Sequence, residues 1–108
     1  MIGDVDGRDV VIVDDEVLTA GSVCEAAGIV REHGARDVYL SFTHAVLVAP
    51  ASHRLHEANF KRIVTTDTVW MPPEKRLPNM TVLSVASLLG EVILRAHEGR
   101  SVGELFNE

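Results

Sequence analysis

Cysteine occurs once in the 108 residues, at Cys24, which excludes an internal disulfide and, with no second thiol, a cysteine-based zinc pattern. Long apolar runs are missing as well. Nothing approaches the ~20 residues that a membrane span requires, and Met1 is not followed by the charged-then-apolar order of a secretory signal. Positive charge is in short supply: 10 Lys and Arg stand against 16 Asp and Glu, for a net charge of −6 and a pI near 5.3. That balance argues against nucleic acid or a membrane surface as the main partner. Internal repeats and low-complexity segments are absent. What is present fits one small domain, since 46% hydrophobic residues are ample for a core and 24% charged residues are too few for disorder. The expectation is a cytoplasmic domain with a buried thiol.

Apolar runs alternate with helical patterns along the chain. Val10 to Val13 predicts a buried strand, covered on both faces and ending at Asp14 and Asp15. Ser22 to Glu25 has capping-box spacing, so a helix is expected from Ser22, with Val23, Ala26, Ala27, Ile29 and Val30 in its apolar positions and Gly34 as its left-handed stop. Cys24, one turn into that helix, reads as core. Further strands are expected at Val38–Phe42, Ile63–Thr66 and Thr81–Val85, with a short helix from Ala51 to Ala58 whose first turn holds Pro50. A last helix starts at Ala86, carries Leu88, Leu89, Val92, Ile93 and Ala96 on one stripe, and stops at Gly99. Met1 to Asp9 is a turn-prone lead-in, and Leu105–Phe106 is expected to fold back as an apolar clip. This alternation predicts an α/β fold, a mostly parallel sheet of about four strands flanked by helices.

Chemistry concentrates between the first strand and the first helix. Asp14 and Asp15 stand at a strand end, facing the crevice in which open α/β sheets bind ligands. Thr19, Ala20, Gly21 and Ser22 then offer backbone N–H groups and two hydroxyls at a helix N-terminus, which suits a phosphate. Carboxylates can accept from sugar hydroxyls, so the combination points to a phosphorylated ribose. A strand-end pair that only caps the next turn, and a serine that only caps a helix, are the plainer readings of the same residues.

The loop resembles the ribose-phosphate loop of the type I phosphoribosyltransferase fold: an apolar run, two acids, two variable residues, Asp, Thr, a small residue, Gly, and Thr or Ser. Ala20 fills the small position and Ser22 replaces Thr, whereas Leu18 departs from the usual Asp. The resemblance continues outside the loop. Gly3 to Val10, Thr43 to Ala51, Val64 to Thr68, and the tail from Leu83 through Arg95–Val102 to Leu105–Phe106 are similar to ribose-phosphate pyrophosphokinases.

That resemblance implies a function. Members transfer the β,γ-diphosphoryl group of ATP to the 1-hydroxyl of ribose 5-phosphate, yielding phosphoribosyl pyrophosphate and AMP with Mg²⁺ as cofactor. They contain two similar α/β domains, so residues 1–108 are expected to be the C-terminal portion of a phosphoribosyltransferase-like domain and a fragment of a longer two-domain protein. Asp14 and Asp15 would bind ribose and Thr19, Ala20, Gly21 and Ser22 the 5-phosphate. Residues for ATP and the main ligands of Mg²⁺ would lie outside this chain. No catalytic residue is assigned within it, and the isolated chain is expected to be inactive. The full-length protein would form a homo-oligomer. Two alternatives stay open: a non-catalytic, synthetase-like regulatory protein, which Leu18 supports, and a base phosphoribosyltransferase, for which a hood and a pyrophosphate loop are lacking.

Other candidates are weaker. His44 reads as a loop anchor because no nucleophile or acid can be set beside it, and His33, His53, His56 and His97 follow no metal-ligand spacing. Asp67 and Thr68 either line the crevice or form a solvated turn, and Lys75–Arg76 is a surface pair.

Overall fold

The computed structural model describes residues 1–106. Four strands, β1 (Val10–Val17), β2 (Val38–Ala45), β3 (Ile63–Thr66) and β4 (Met80–Leu83), pair in parallel in the order β1-β2-β3-β4. Each new strand is added on the same side of the last. Right-handed crossovers that always step in one direction put their helices on one face of the sheet. Accordingly α1 (Gly21–Glu32) packs on β1 and β2, and α2 (Ala51–Glu57) packs beside α1.

The core follows from the period-two alternation of a strand. Val38, Leu40 and Phe42 of β2 are buried, together with Ile63 of β3, Val23 and Ala27 of α1, and Ala51 and Leu55 of α2. The intervening residues point the other way. Val11 and Val13 remain 60% and 76% exposed, so β1 is not covered on both faces by the described residues, contrary to the sequence expectation. The run of four valine and isoleucine residues is consistent with two covers, but α1 and α2, on one side, supply only one.

A last helix, α3 (Ala86–Glu98), forms where expected and ends on Gly99 in the left-handed region at φ 70°. Its apolar stripe is uncovered among the described residues: none of the helix is buried, and Leu88, Leu89, Ile93 and Leu94 are exposed. The apolar clip after it does not form either. Gly103–Phe106 is a 3₁₀ turn held by charge instead, with Phe106 exposed. Arg95 donates to Glu91 Oε1 at 2.9 Å, to the Ser101 carbonyl at 3.1 Å and to Glu104 Oε2 at 3.2 Å. Among the described residues no helix is long and apolar enough to cross a membrane.

Asp67 ties the end of β3 to the start of α3. Its N–H donates to the Leu83 carbonyl at 3.1 Å, and its Oδ1 accepts from the Val85 N–H at 2.8 Å. That Val85 N–H, followed by the Ser84 side chain, holds the carboxyl below its ordinary value of 3.8. A carboxyl depressed in the folded state contributes stability above its unfolded value, and the contribution is lost as pH falls through the folded value. The protection factor of the Val85 amide, taken by NMR against the intrinsic exchange rate at each pH, is therefore expected to fall as the pH drops through the folded Asp67 value, which lies below 3.8, and Asp67→Asn to remove that dependence. An unchanged pH profile in the Asn variant would contradict the assignment.

Candidate functional site

β1 runs further than its apolar residues suggest. Asp14 pairs with Phe42, Glu16 with His44 and Val17 with Ala45, so both aspartates lie inside the strand and not just beyond it. Acidic residues disfavour strands, but pairing against an existing neighbour overrides that preference. The two carboxylates are held by local hydrogen bonds: Asp14 Oδ1 accepts from the Asp15 N–H at 2.8 Å, and Asp15 Oδ1 from the Glu16 N–H at 2.9 Å. The Asp14 side chain, and after it the Glu16 N–H, keeps the Asp15 carboxyl below the usual carboxylate range.

The turn that follows is not a capping box. Ala20 takes the N-cap position in the left-handed region at φ 68°, and α1 begins at Gly21. Ser22 is thereby the second residue of the helix, two positions past the cap, where its hydroxyl no longer occupies the capping position, and no side chain caps this terminus. The first-turn N–H groups of Gly21, Ser22 and Val23 have no partner four residues earlier inside the helix, and their positive end of the helix dipole favours an anion. Gly21 has room for a side chain, since a Cβ there would sit 3.6 Å from Arg54 Nη1 and 3.8 Å from Thr19 Oγ1. Internal packing therefore does not demand glycine at this place.

The chain from Asp14 to Val23 encloses a concavity of about 320 Å³. All six residues expected for ribose and phosphate line it: Asp14, Asp15, Thr19, Ala20, Gly21 and Ser22. Leu18, 47% exposed, lines the same concavity. The acids and the helix terminus thus share one space, with a hydrocarbon side chain between them in sequence.

Residues outside the turn divide into anchors and bystanders. His44 Nδ1 lies 2.7 Å from Thr68 Oγ1, and the hydroxyls of Thr66 and Thr68 donate to the Thr43 carbonyl at 2.6 and 3.2 Å. His44 is therefore a loop anchor. Cys24 is only half-buried; its thiol lies 3.5 Å from the Arg54 carbonyl, and burial pushes its pKa up, the opposite of an activated thiolate. Among the described residues no three His, Cys, Asp or Glu side chains cluster as a metal cage. Were Mg²⁺ to bind with substrate oxygens and water as its main ligands, Asp14 and Asp15 would be the carboxylates at hand.

Sequence reasoning did not find the residues behind the turn. The Val17 carbonyl accepts from the Leu47 N–H at 3.0 Å, the Leu18 carbonyl from the Val48 N–H at 2.9 Å, and the Thr19 carbonyl from Arg54 Nη1 at 3.2 Å. These partners lie some thirty residues downstream, and no local pattern marks them.

The phosphoribosyl synthetase-associated domain matches residues 1–107 of this chain. The chain belongs to that family. Among its relatives, the ribose-phosphate pyrophosphokinase of Synechococcus elongatus is 48% identical over 107 residues, covering 98% of this chain and 32% of the relative. That of Caldanaerobacter subterraneus subsp. tengcongensis is 47% identical over 106 residues, covering 98% and 34%. The crystal structure of phosphoribosylpyrophosphate synthetase from Mycobacterium smegmatis superposes with a TM-score of 0.88 at 39% identity, covering 91% of this chain and 33% of that one. The chain spans about a third of the length of the relatives it matches. The α/β fold and membership of the synthetase family expected from the sequence are both found.

Proposed function

We propose that this chain is the ribose-5-phosphate-binding part of a ribose-phosphate pyrophosphokinase. The observation that carries the reading is the convergence of the acids and the uncapped helix terminus on one concavity, in a chain 48% identical to an enzyme of that name. The backbone N–H groups of Gly21 and Ser22, with the Thr19 and Ser22 hydroxyls, take the 5-phosphate. Asp14 and Asp15 accept hydrogen bonds from ribose hydroxyls. The ribose 1-hydroxyl then attacks the β-phosphorus of ATP and AMP leaves, with Mg²⁺ supplying charge stabilisation. ATP is held by polypeptide outside this chain, so residues 1–108 alone bind one substrate and turn nothing over. A cytoplasmic, oligomeric enzyme is the corresponding whole.

Leu18 qualifies this reading. Where the ribose-phosphate loop that this turn resembles has Asp, leucine accepts no hydroxyl hydrogen, so the phosphate end is held and the sugar's 1-hydroxyl end is loose. The non-catalytic alternative, a synthetase-like regulatory protein, rests on this one residue.

Titration of the ¹⁵N-labelled chain with ribose 5-phosphate tests the proposal. The Gly21 and Ser22 amides are expected to shift, and inorganic phosphate to shift the same amides, whereas ribose alone should leave them in place. Leu18→Asp should tighten ribose 5-phosphate about tenfold, the worth of one charged hydrogen bond, without changing the response to phosphate. Binding that leaves Gly21 and Ser22 unmoved would overturn the assignment.

A further inference from the structure

Three consecutive carbonyls of the turn, those of Val17, Leu18 and Thr19, are drawn toward the segment linking β2 to α2 and toward α2 itself. In a trans peptide the C=O and the following N–H point in opposite directions. Holding these three oxygens on the α2 side therefore turns the N–H groups of Leu18, Thr19 and Ala20 away from α2. The first two carbonyls are held by backbone donors, Leu47 and Val48, which any side chain there would supply. The third is held by a side chain, Arg54, from the exposed surface of α2.

The Thr19–Ala20 peptide is the one that needs help. Ala20 occupies the left-handed region without being glycine, at φ 68°, a conformation that costs a non-glycine residue free energy and persists where surrounding contacts enforce it. The backbone of α2 also touches α1 nearby, where the Arg54 carbonyl is within 3.5 Å of Cys24 Sγ. The Arg54 guanidinium lies 3.6 Å from where a Gly21 Cβ would be, which puts a positive charge directly behind the turn.

The geometry points to Arg54 as a positioning residue for the phosphate turn: it fixes the Thr19 carbonyl, and so presents the Ala20 N–H and the start of α1 to an anion in their binding orientation. The inference rests on the phosphate reading of the turn. Arg54 acts from behind and through the Thr19–Ala20 peptide, and the strut spans α2 and the β1–α1 turn.

The test compares the whole chain with Arg54→Ala and Arg54→Lys, titrating each with ribose 5-phosphate and with inorganic phosphate. Arg54→Ala is expected to weaken both by about tenfold, the scale of a lost charge-assisted contact. Arg54→Lys, which keeps a charged donor, should recover part of that affinity. Without any ligand, the Ala20 and Gly21 amides should show faster local motion by ¹⁵N relaxation in Arg54→Ala, and the Thr19 carbonyl carbon should shift. Thermal stability should barely change, because Arg54 is exposed. Affinity within twofold of the parent, or unchanged relaxation at Ala20 and Gly21, would refute the strut. If Arg54→Ala does not fold, the lysine variant decides by the same two readouts. Should the parent chain bind neither anion, the phosphate reading itself fails, and the relaxation comparison still decides whether Arg54 orders the turn.

Discussion

Gly21→Asp is expected to lower the affinity for ribose 5-phosphate by about two orders of magnitude while leaving the domain folded. The expectation comes from opposing effects at one position. Gly21 is the first residue of α1 and is not in the left-handed region, so a side chain there relieves the entropic cost of glycine in a helix, ~0.5–1 kcal/mol. A carboxylate in a first helical turn is also favourable to the helix dipole. Space is available, with the nearest side-chain atoms at 3.6 and 3.8 Å from an added Cβ. Stability should therefore hold or rise. The ligand meets the reverse. A carboxylate there lies on the Arg54 side of the turn, where it competes for the guanidinium that holds the Thr19 carbonyl and adds a negative charge within several ångströms of the phosphate dianion; together these cost ~3 kcal/mol, which is about a hundredfold in affinity. Gly21→Ala separates size from charge and should fall between the two. Calorimetric titration alongside urea unfolding reads both quantities. Binding by Gly21→Asp within threefold of the parent would mean that the phosphate sits elsewhere.

Leu40→Ala should produce the largest loss of stability, about 3 kcal/mol, and Val13→Thr almost none, under ~0.5 kcal/mol. Both residues lie on neighbouring strands and both belong to apolar runs. They differ in the face they present. Leu40 is 1% exposed in the layer between the sheet and the helices, where its removal leaves a cavity lined by Ile63 and its neighbours. Val13 projects from the opposite face, where its side chain has little packing to lose. Urea unfolding of the two variants checks the contrast. Equal costs would show that the β1 outer face is covered in solution, and light scattering of the parent would then reveal whether a second copy covers it.

The two sets of effects share a cause in the one-sided sheet. Stepping every crossover in the same direction concentrates burial under α1 and α2, and the turn from β1 into α1 is hydrogen-bonded to the segment between β2 and α2. The site is thus braced from the well-packed layer. Val17 and Ala20 are both buried in it, while Leu18, Thr19, Gly21 and Ser22 remain accessible. Alternation within a few residues gives the turn a fixed underside and an open top, as an anion site requires.

Much of this was readable from residue order alone. The alternation of apolar runs and helical periods gives about four strands, flanking helices and a mostly parallel sheet, because those patterns depend on local backbone geometry and on which side chains avoid water. Ile63–Thr66 and the start and stop of α3 at Ala86 and Gly99 need no tertiary information. The acids and small residues that line the concavity are contiguous, Asp14 to Ser22, so their nearness is covalent and could be anticipated. Tertiary structure decided what depends on partners distant in sequence. Pairing with Phe42, His44 and Ala45 carried β1 past its aspartates to Val17. The left-handed Ala20 displaced Ser22 from its expected cap and left the helix terminus open. Arg54 reached back to the Thr19 carbonyl, a contact with no local signature. The uncovered faces of β1 and α3 belong to the same class, since a sequence reports that a face is apolar and only the packing reports what, if anything, covers it.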